Sequence, residues 1–342
     1  MTTEKEALVG TTLDGRYRIV RELGRGGMGA VYEAHHTGID RRLAVKVLHA
    51  EMAGEPSVLE RFRREARITG SLGHPNIIQV TDTGTTPGGA PYLVMELLEG
   101  RSLSSVLRKS PRLSVRQALD IIMPVLRALS TVHANGIIHR DLKPENIFLA
   151  EGLGADGARE TVVKVLDFGI SKPVDTKLQG STLTATGAIV GTPYYMSPEQ
   201  VRSKDFDHRA DLYACGVILY QILTGRAPFD ADNFGDLFVA ILNQDPVEMR
   251  SVRPELPEAL EEVVHRAMAR DKEERFASAD ELLRALKPFA RRTSDANQGA
   301  TATQEQLVTS PHYPLSETER GRRTDVPDGV PPFPLREGGQ GG

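Results

Sequence analysis

The sequence predicts an α+β fold in two unequal lobes. A small strand-rich lobe with one main helix occupies residues 17–98, and a larger helical lobe occupies 99–288. Three observations carry this. Short β-type runs and glycine turns fill the first part. A near-continuous apolar strand, Tyr92–Leu98, then meets Glu99-Gly100, a turn suited to a hinge. From Ser102 onward the apolar residues recur with helical period.

The elements follow in order. Residues 1–16 are polar and read as a loose lead-in. YRIVRELGRGGMGAVYEAHH reads as two strands joined by a glycine-rich turn, with Ile19, Leu23, Val31 and Tyr32 as apolar positions. Arg42–Leu48 is the next strand, with Lys46 inside its apolar run. A helix is expected from Ser57 to Leu72, with Leu59, Phe62, Ala66 and Thr69 on one face and Glu65 at its border. His74–Ile78 ends that helix and opens a strand. LSSVLRKS is a short helix. VRQALDIIMPVLRALSTVHANG is a long one, bent or locally adjusted at Pro124 and closed by Asn135-Gly136. Residues 151–161 form a polar hairpin loop and Thr161–Leu166 a strand. Residues 170–190, rich in Ser, Thr and Gly, have no period and read as a mobile loop. HRADLYACGVILYQILTG is a helix apolar nearly all round, and further helices run to about Pro288. The stretch 289–342 is rich in Pro and Gly, with few large apolar residues. It cannot bury enough surface to offset ordering entropy and is expected to be disordered.

Composition narrows the function classes. The chain has 342 residues, 39% hydrophobic and 26% charged, which suits a globular protein with a sizeable core. A net charge of −4 argues against a nucleic-acid binder. The single cysteine, Cys215, excludes an intrachain disulfide and points to a reducing compartment and a core thiol. No run of about 18 apolar residues is present to span a bilayer. The first residues lack the apolar stretch of a signal peptide, so a cytoplasmic protein is expected.

The candidate chemistry lies between His139 and Gly169, read as HRDLKPENIF and then KVLDFG. Asp141, Lys143, Asn146 and Asp167 are the residue types phosphoryl transfer needs. One acid takes a proton from an attacking hydroxyl, while an amide and a second acid hold a hard cation. Other segments are ambiguous one by one. Gly24, Gly26 and Gly29 form G-x-G-x-x-G, which suits either a phosphate cradle or a plain hairpin turn. The strand that follows argues against a dinucleotide loop, where a helix would come next. Lys46 either reaches water from a strand edge or pairs inside the fold. Glu65 either pairs with it or is solvated.

Glycine loop, strand lysine, helix glutamate, HRDLKPEN, DFG and SPE occur here in one order over residues 24–199. In this the chain resembles the eukaryotic-like (Hanks-type) bacterial serine/threonine protein kinases, over about residues 17–288. The resemblance implies the two-lobed protein kinase fold, with ATP and magnesium (or manganese in its place) as cofactors. It implies that the loop Gly24–Gly29 folds over the phosphates and that Lys46, paired with Glu65, holds the α- and β-phosphates. Leu23, Val31 and Ala44 would cover the adenine. Met95 would precede the hinge, where Glu96 and Leu98 offer backbone groups. Asp141 would be the base, Lys143 would neutralise the transferred group, and Asn146 and Asp167 would hold the metal. Lys143, with Thr192 bridging to Asp141, favours serine or threonine acceptors. Glu199 would pair with Arg275, and Asp211 would hold the backbone of the HRD loop. Arg140 would receive a phosphate placed on Thr184 or Thr186.

The resemblance also bears on partners. Protein substrates are implied, together with self-phosphorylation on the activation loop. Relatives often pair through the small lobe, which makes a homodimer a candidate. Threonines of the tail could display phosphate to phosphothreonine-reading partners, or the tail could be a linker. Two rival readings stand beside the active kinase. A pseudokinase or phospho-dependent scaffold would usually lack Lys46, Asp141 or Asp167, and all three are present. A small-molecule kinase would lack the long loop closing on a Pro-Glu motif, present here as GTPYYMSPEQ.

Overall fold

The structure is a computed structural model that describes residues 8–26, 29–49, 56–153, 157–167, 193–202, 206–229 and 231–295. The small lobe is a six-stranded antiparallel sheet in the order β1-β2-β3-β4-β6-β5. Its strands are β1 (Thr12–Leu13), β2 (Tyr17–Arg25), β3 (Gly29–His36), β4 (Arg41–Leu48), β5 (Val80–Thr85) and β6 (Pro91–Glu96). Helix α1 (Pro56–Ser71) packs on one face.

Period-two alternation decides what each face carries. Val31 lies opposite Lys46, and Lys46 opposite Leu93; Glu33 lies opposite Ala44, and Ala44 opposite Met95. These residues therefore share the face that meets α1, where Leu48, Phe62, Ala66, Val80 and Leu93 form a small core. The other face buries Tyr32, Val45, Val47 and Val94 against Leu13, Tyr17 and Ile19.

Three sequence expectations change here. The lead-in is not loose at its end, because Thr12–Leu13 pairs with β2 and Leu13 is fully buried. His74–Ile78 is not a strand but a turn, with one bridge from Ile77 to Val165. The strand is β5 instead, whose polar sequence VTDTGT hides its edge role. On α1, Val58 rather than Leu59 joins the packed cluster.

After β6 the chain passes through Leu97–Glu99 into β7 (Gly100–Ser102). Gly100 has φ +138°, and a Cβ there would collide with the Leu149 carbonyl, so only glycine fits this crossing. Strand β7 pairs with β8 (Ile147–Leu153), and β8 with β9 (Arg159–Val165). The expected loop 151–161 is thus partly strand.

The large-lobe core is built on α2 (Leu103–Lys109), α3 (Val115–Ala134), α4 (Pro198–Val201), α5 (Arg209–Thr224), α6 (Phe234–Asn243), α7 (Met249–Val252), α8 (Glu258–Ala267) and α9 (Ala279–Asp295). A capping box of Ser114 and Gln117 starts α3, which continues unbroken past Pro124 to Ala134. Helix α5 is buried from Ala210 to Thr224 and ends at Gly225 with φ +74°. Burial pushes the Cys215 thiol up, as befits a core thiol. Helix α9 continues to Asp295, beyond the boundary at 288. Among the described residues no helix is long and apolar enough to cross a membrane.

Helices α5 and α8 touch closely at Gly216. A Cβ there would lie 2.7 Å from Met268 Cγ and 3.0 Å from Ala267 Cβ. Met268 can yield, but Ala267 sits on the helix itself. Gly216→Ala is therefore expected to cost about 1–3 kcal/mol by overpacking. Urea unfolding checks this, and an unchanged midpoint would mean that the helices part freely.

Candidate active site

The site is assembled where the two lobes meet. Lys46 projects from β4 and its Nζ lies 2.5 Å from Asp167 Oδ1. Asp167 follows β9 and has φ +45°, a region that costs a residue with a Cβ. Glu65 lies on α1, but its side chain falls outside the described residues.

The catalytic-loop candidates sit between α3 and β8. Asp141 Oδ2 is 3.1 Å from Lys143 Nζ, with both side chains about one-fifth exposed. Pro144–Asn146 forms one 3-10 turn. Asn146 Nδ2 donates to the Asp141 carbonyl at 2.8 Å, which leaves its amide oxygen as the atom able to ligate a cation.

This loop is pinned from below. Asp211, buried on α5, accepts the His139 N–H at 2.8 Å and the Arg140 N–H at 2.9 Å. His133 Nε2 reaches the same carboxylate at 2.8 Å. Burial alone would raise the Asp211 carboxyl, but His133 and the backbone donors hold it below the usual carboxylate range. His139 is fully buried, and burial pulls its imidazole down. The Asp141 N–H donates to its Nδ1, so Nε2 carries the proton given to the Leu166 carbonyl at 3.0 Å. One neutral histidine thus ties Leu166, the residue between β9 and Asp167, to the loop of Asp141.

Arg140 has φ +70° and its guanidinium lies 5.5 Å from the Phe206 ring centroid. Burial lowers it, and the charge of Arg64 on α1 lowers it further. The Asp211 carboxylate opposes both effects. Thr184 and Thr186, the residues proposed to bear phosphate, lie outside the described residues, as does Thr192.

Of the residues expected to meet a nucleotide, Leu23 is exposed near the end of β2, and Gly24 lies opposite Val31. The Gly26 N–H donates to the Gly29 carbonyl at 2.8 Å. A Cβ on Gly29 would strike the Val47 carbonyl, so this glycine is also demanded by the sheet. Ala44 and Met95 lie opposite each other on the cleft face. The Glu96 N–H is engaged with the Gln79 carbonyl at 3.1 Å, so Glu96 has its carbonyl to offer a base. Leu98 is half-buried in the connection.

Some residues near the site carry no motif. Lys164 on β9 pairs with the Glu96 carboxylate at 2.7 Å, linking the hinge to the large lobe. Asn76 donates to the Val163 carbonyl at 2.8 Å. His133 also goes unmarked by spacing, and the S-x-x-Q spacing of Gln200 marks only its capping contact with Ser197, not its bond to the Arg140 carbonyl. Further away, the Arg275 side chain is fully buried and reaches both oxygens of Glu199, at 2.7 and 2.8 Å.

Residues 17–286 match the protein kinase domain. The chain belongs to the protein kinase domain family. A serine/threonine-protein kinase, Pkn1 of Myxococcus xanthus, is 42% identical over 326 residues, covering 93% of this chain and 45% of that protein. Another, PknA of Mycobacterium tuberculosis, is 40% identical over 276 residues, covering 79% and 60%. The kinase domain of M. tuberculosis PknI superposes with a TM-score of 0.63 at 30% identity, covering 82% of this chain and 98% of that one. The chain spans about half the length of the curated relatives it matches. The sequence expectation of a two-lobed kinase fold therefore holds, and the bacterial kinase resemblance with it.

Proposed function

We propose that this chain is a serine/threonine protein kinase that transfers the γ-phosphoryl group of ATP to protein hydroxyls. The observation that carries this is one geometry. Asp141 and Lys143 stand side by side on a loop pinned by Asp211, and Lys46 meets Asp167 across the cleft.

The residues suit a magnesium-bound polyphosphate. Asp167 is half exposed and Asn146 presents an oxygen, and magnesium is commonly held by one or two such ligands together with substrate phosphates. Magnesium, or manganese, would supply charge neutralisation to the bound phosphates. Lys46 binds the α- and β-phosphates and, between turnovers, rests on Asp167. Glu65 is the second partner proposed for it. Asp141 accepts or orients the hydroxyl proton, and Lys143 balances charge on the moving group. Gly24, Gly26 and Gly29 fold over the phosphates. Leu23, Val31 and Ala44 cover the base beside Met95, Glu96 and Leu98. Most of the catalysis is then position and charge.

The Lys143 position, with Thr192, supports a serine or threonine acceptor, in line with the names of the relatives. Regulation runs through Arg140, which would receive a phosphate on Thr184 or Thr186 and order that segment. Replacing both threonines by alanine is expected to lower transfer to other proteins at least about tenfold, the population shift that phosphate–guanidinium contacts would supply. Equal activity of the double variant, measured with radiolabelled ATP, would reject the switch. Protein substrates follow from the reading. Pairing through the small lobe and phosphothreonine readers of the tail are further expectations. The lone core cysteine supports a cytoplasmic setting.

Mass mapping of phosphosites after incubation with ATP and magnesium, beside the Asp141→Asn variant, tests the whole reading. Sites on Ser or Thr that vanish in the variant are expected. No labelling of the chain or of an added basic protein would favour a pseudokinase.

A further inference from the structure

We infer that Gln200 is a positioning residue for Asp141, joining the catalytic loop to the segment on the acceptor side through one side-chain amide. This rests on the kinase reading above. Gln200 Nε2 donates to the Arg140 carbonyl at 3.0 Å. Its Oε1 accepts the Ser197 N–H at 3.0 Å and the Ser197 hydroxyl at 3.2 Å. The orientation of this amide is forced. A backbone N–H can only donate and a carbonyl can only accept, so the oxygen must face Ser197 and the nitrogen Arg140.

The Arg140 carbonyl and the Asp141 N–H belong to one peptide plane. That plane is rigid, so two anchors fix how the Asp141 side chain leaves the backbone. One anchor is His139 Nδ1, which accepts the Asp141 N–H at a long 3.3 Å. The other is Gln200. Arg140 needs the restraint, because its φ of +70° is a conformation that a side-chain-bearing residue leaves readily. Asp211 holds the N–H side of Arg140 but not this plane.

The far end of the link is equally placed. Ser197 is fully buried and is the N-cap of α4, just after the turn Pro193–Tyr195 that Met196 closes. Tyr195 and Met196 line, with Asp141 and Gln200, a small cavity against the catalytic loop. A shift of this segment is thus passed to the plane that aims Asp141. Gln200 makes loop geometry depend on how residues 193–197 are seated.

The test uses the full chain and the variant Gln200→Glu. This change keeps the acceptor facing Ser197 and removes the donor facing Arg140. Transfer to myelin basic protein, nucleotide affinity and thermal midpoint are measured together. We expect kcat to fall about ten- to a hundredfold, as ångström-scale misplacement does, with the KM for ATP and the thermal midpoint unchanged. Ser197→Ala, which keeps the N–H contact, should retain most of the activity. Gln200→Met supplies a second test that introduces no charge, and the same split is expected. Wild-type kcat in both Gln200 variants, or a loss that tracks lowered midpoint and nucleotide affinity, would overturn the inference. A wild-type chain that transfers to no acceptor overturns the kinase reading, and this one with it.

Discussion

Asp141→Asn is expected to reduce phosphoryl transfer by about 10²–10⁴-fold, the range for losing a positioned general base. Asparagine has nearly the same shape and can still meet Lys143, which lies 3.1 Å from the carboxylate. It cannot take up a proton. The Asn146 contact goes to the Asp141 backbone carbonyl, so the variant keeps it. Nucleotide affinity should therefore stay within about twofold, since the groups proposed to hold ATP are untouched. Transfer to a protein acceptor and nucleotide binding, measured separately, decide the matter. Activity retained within a few-fold would remove Asp141 as base. A loss matched by lost nucleotide binding would make its role structural.

How much of this was legible in the sequence depends on what each contact needs. The fold was readable because alternation and helical period report burial directly. Helix α5 is the clearest case, apolar all round and buried all round. The motif reading also names two contacts found in the structure, Asp211 to the His139–Arg140 backbone and Arg275 to Glu199. Less legible were features set by partners far along the chain. VTDTGT carries no strand pattern, yet pairing with β6 makes it β5. His74–Ile78 carries two isoleucines because Ile77 packs into the large-lobe core, where one bridge to Val165 buries it without a ladder. Lys164 looks like an ordinary outward lysine of a strand until the hinge brings Glu96 against it. Gln200 and His133 are polar residues in helical segments. Nothing local marks His133, whose carboxylate partner lies 78 residues away, and the S-x-x-Q spacing of Gln200 marks its capping contact with Ser197 but not the Arg140 carbonyl 60 residues away.

The largest stability effect is expected at Arg275. Its side chain is wholly buried and gives hydrogen bonds to the Ala269 and Arg209 carbonyls as well as to both oxygens of Glu199. Its guanidinium also lies 5.0 Å from the Tyr213 ring centroid. Removing one partner of such a pair leaves a buried charge uncompensated. Arg275→Ala should therefore cost about 3–5 kcal/mol at neutral pH. The pH dependence gives the effect a signature. Burial alone would raise the Glu199 carboxyl, but the Arg275 hydrogen bonds and charge hold it below its ordinary value. A carboxyl depressed in the folded state stabilises above its unfolded pKa, about 4.3, and that contribution fades as pH falls through the folded value. In the variant burial is opposed only by the backbone and Ser197 hydrogen bonds, so Glu199 titrates higher than it does beside Arg275. The variant is then penalised most at neutral pH and recovers part of the loss as Glu199 protonates. The gap between wild type and Arg275→Ala should accordingly narrow from pH 7 towards pH 4.5 in urea unfolding. The double variant Glu199→Gln with Arg275→Met, which leaves no buried charge at this pair, should be closer to wild type than Arg275→Ala. A gap below about 1 kcal/mol at pH 7, the range of an exposed pair, or one that does not change with pH, would show that the pair does not lock this part of the large lobe.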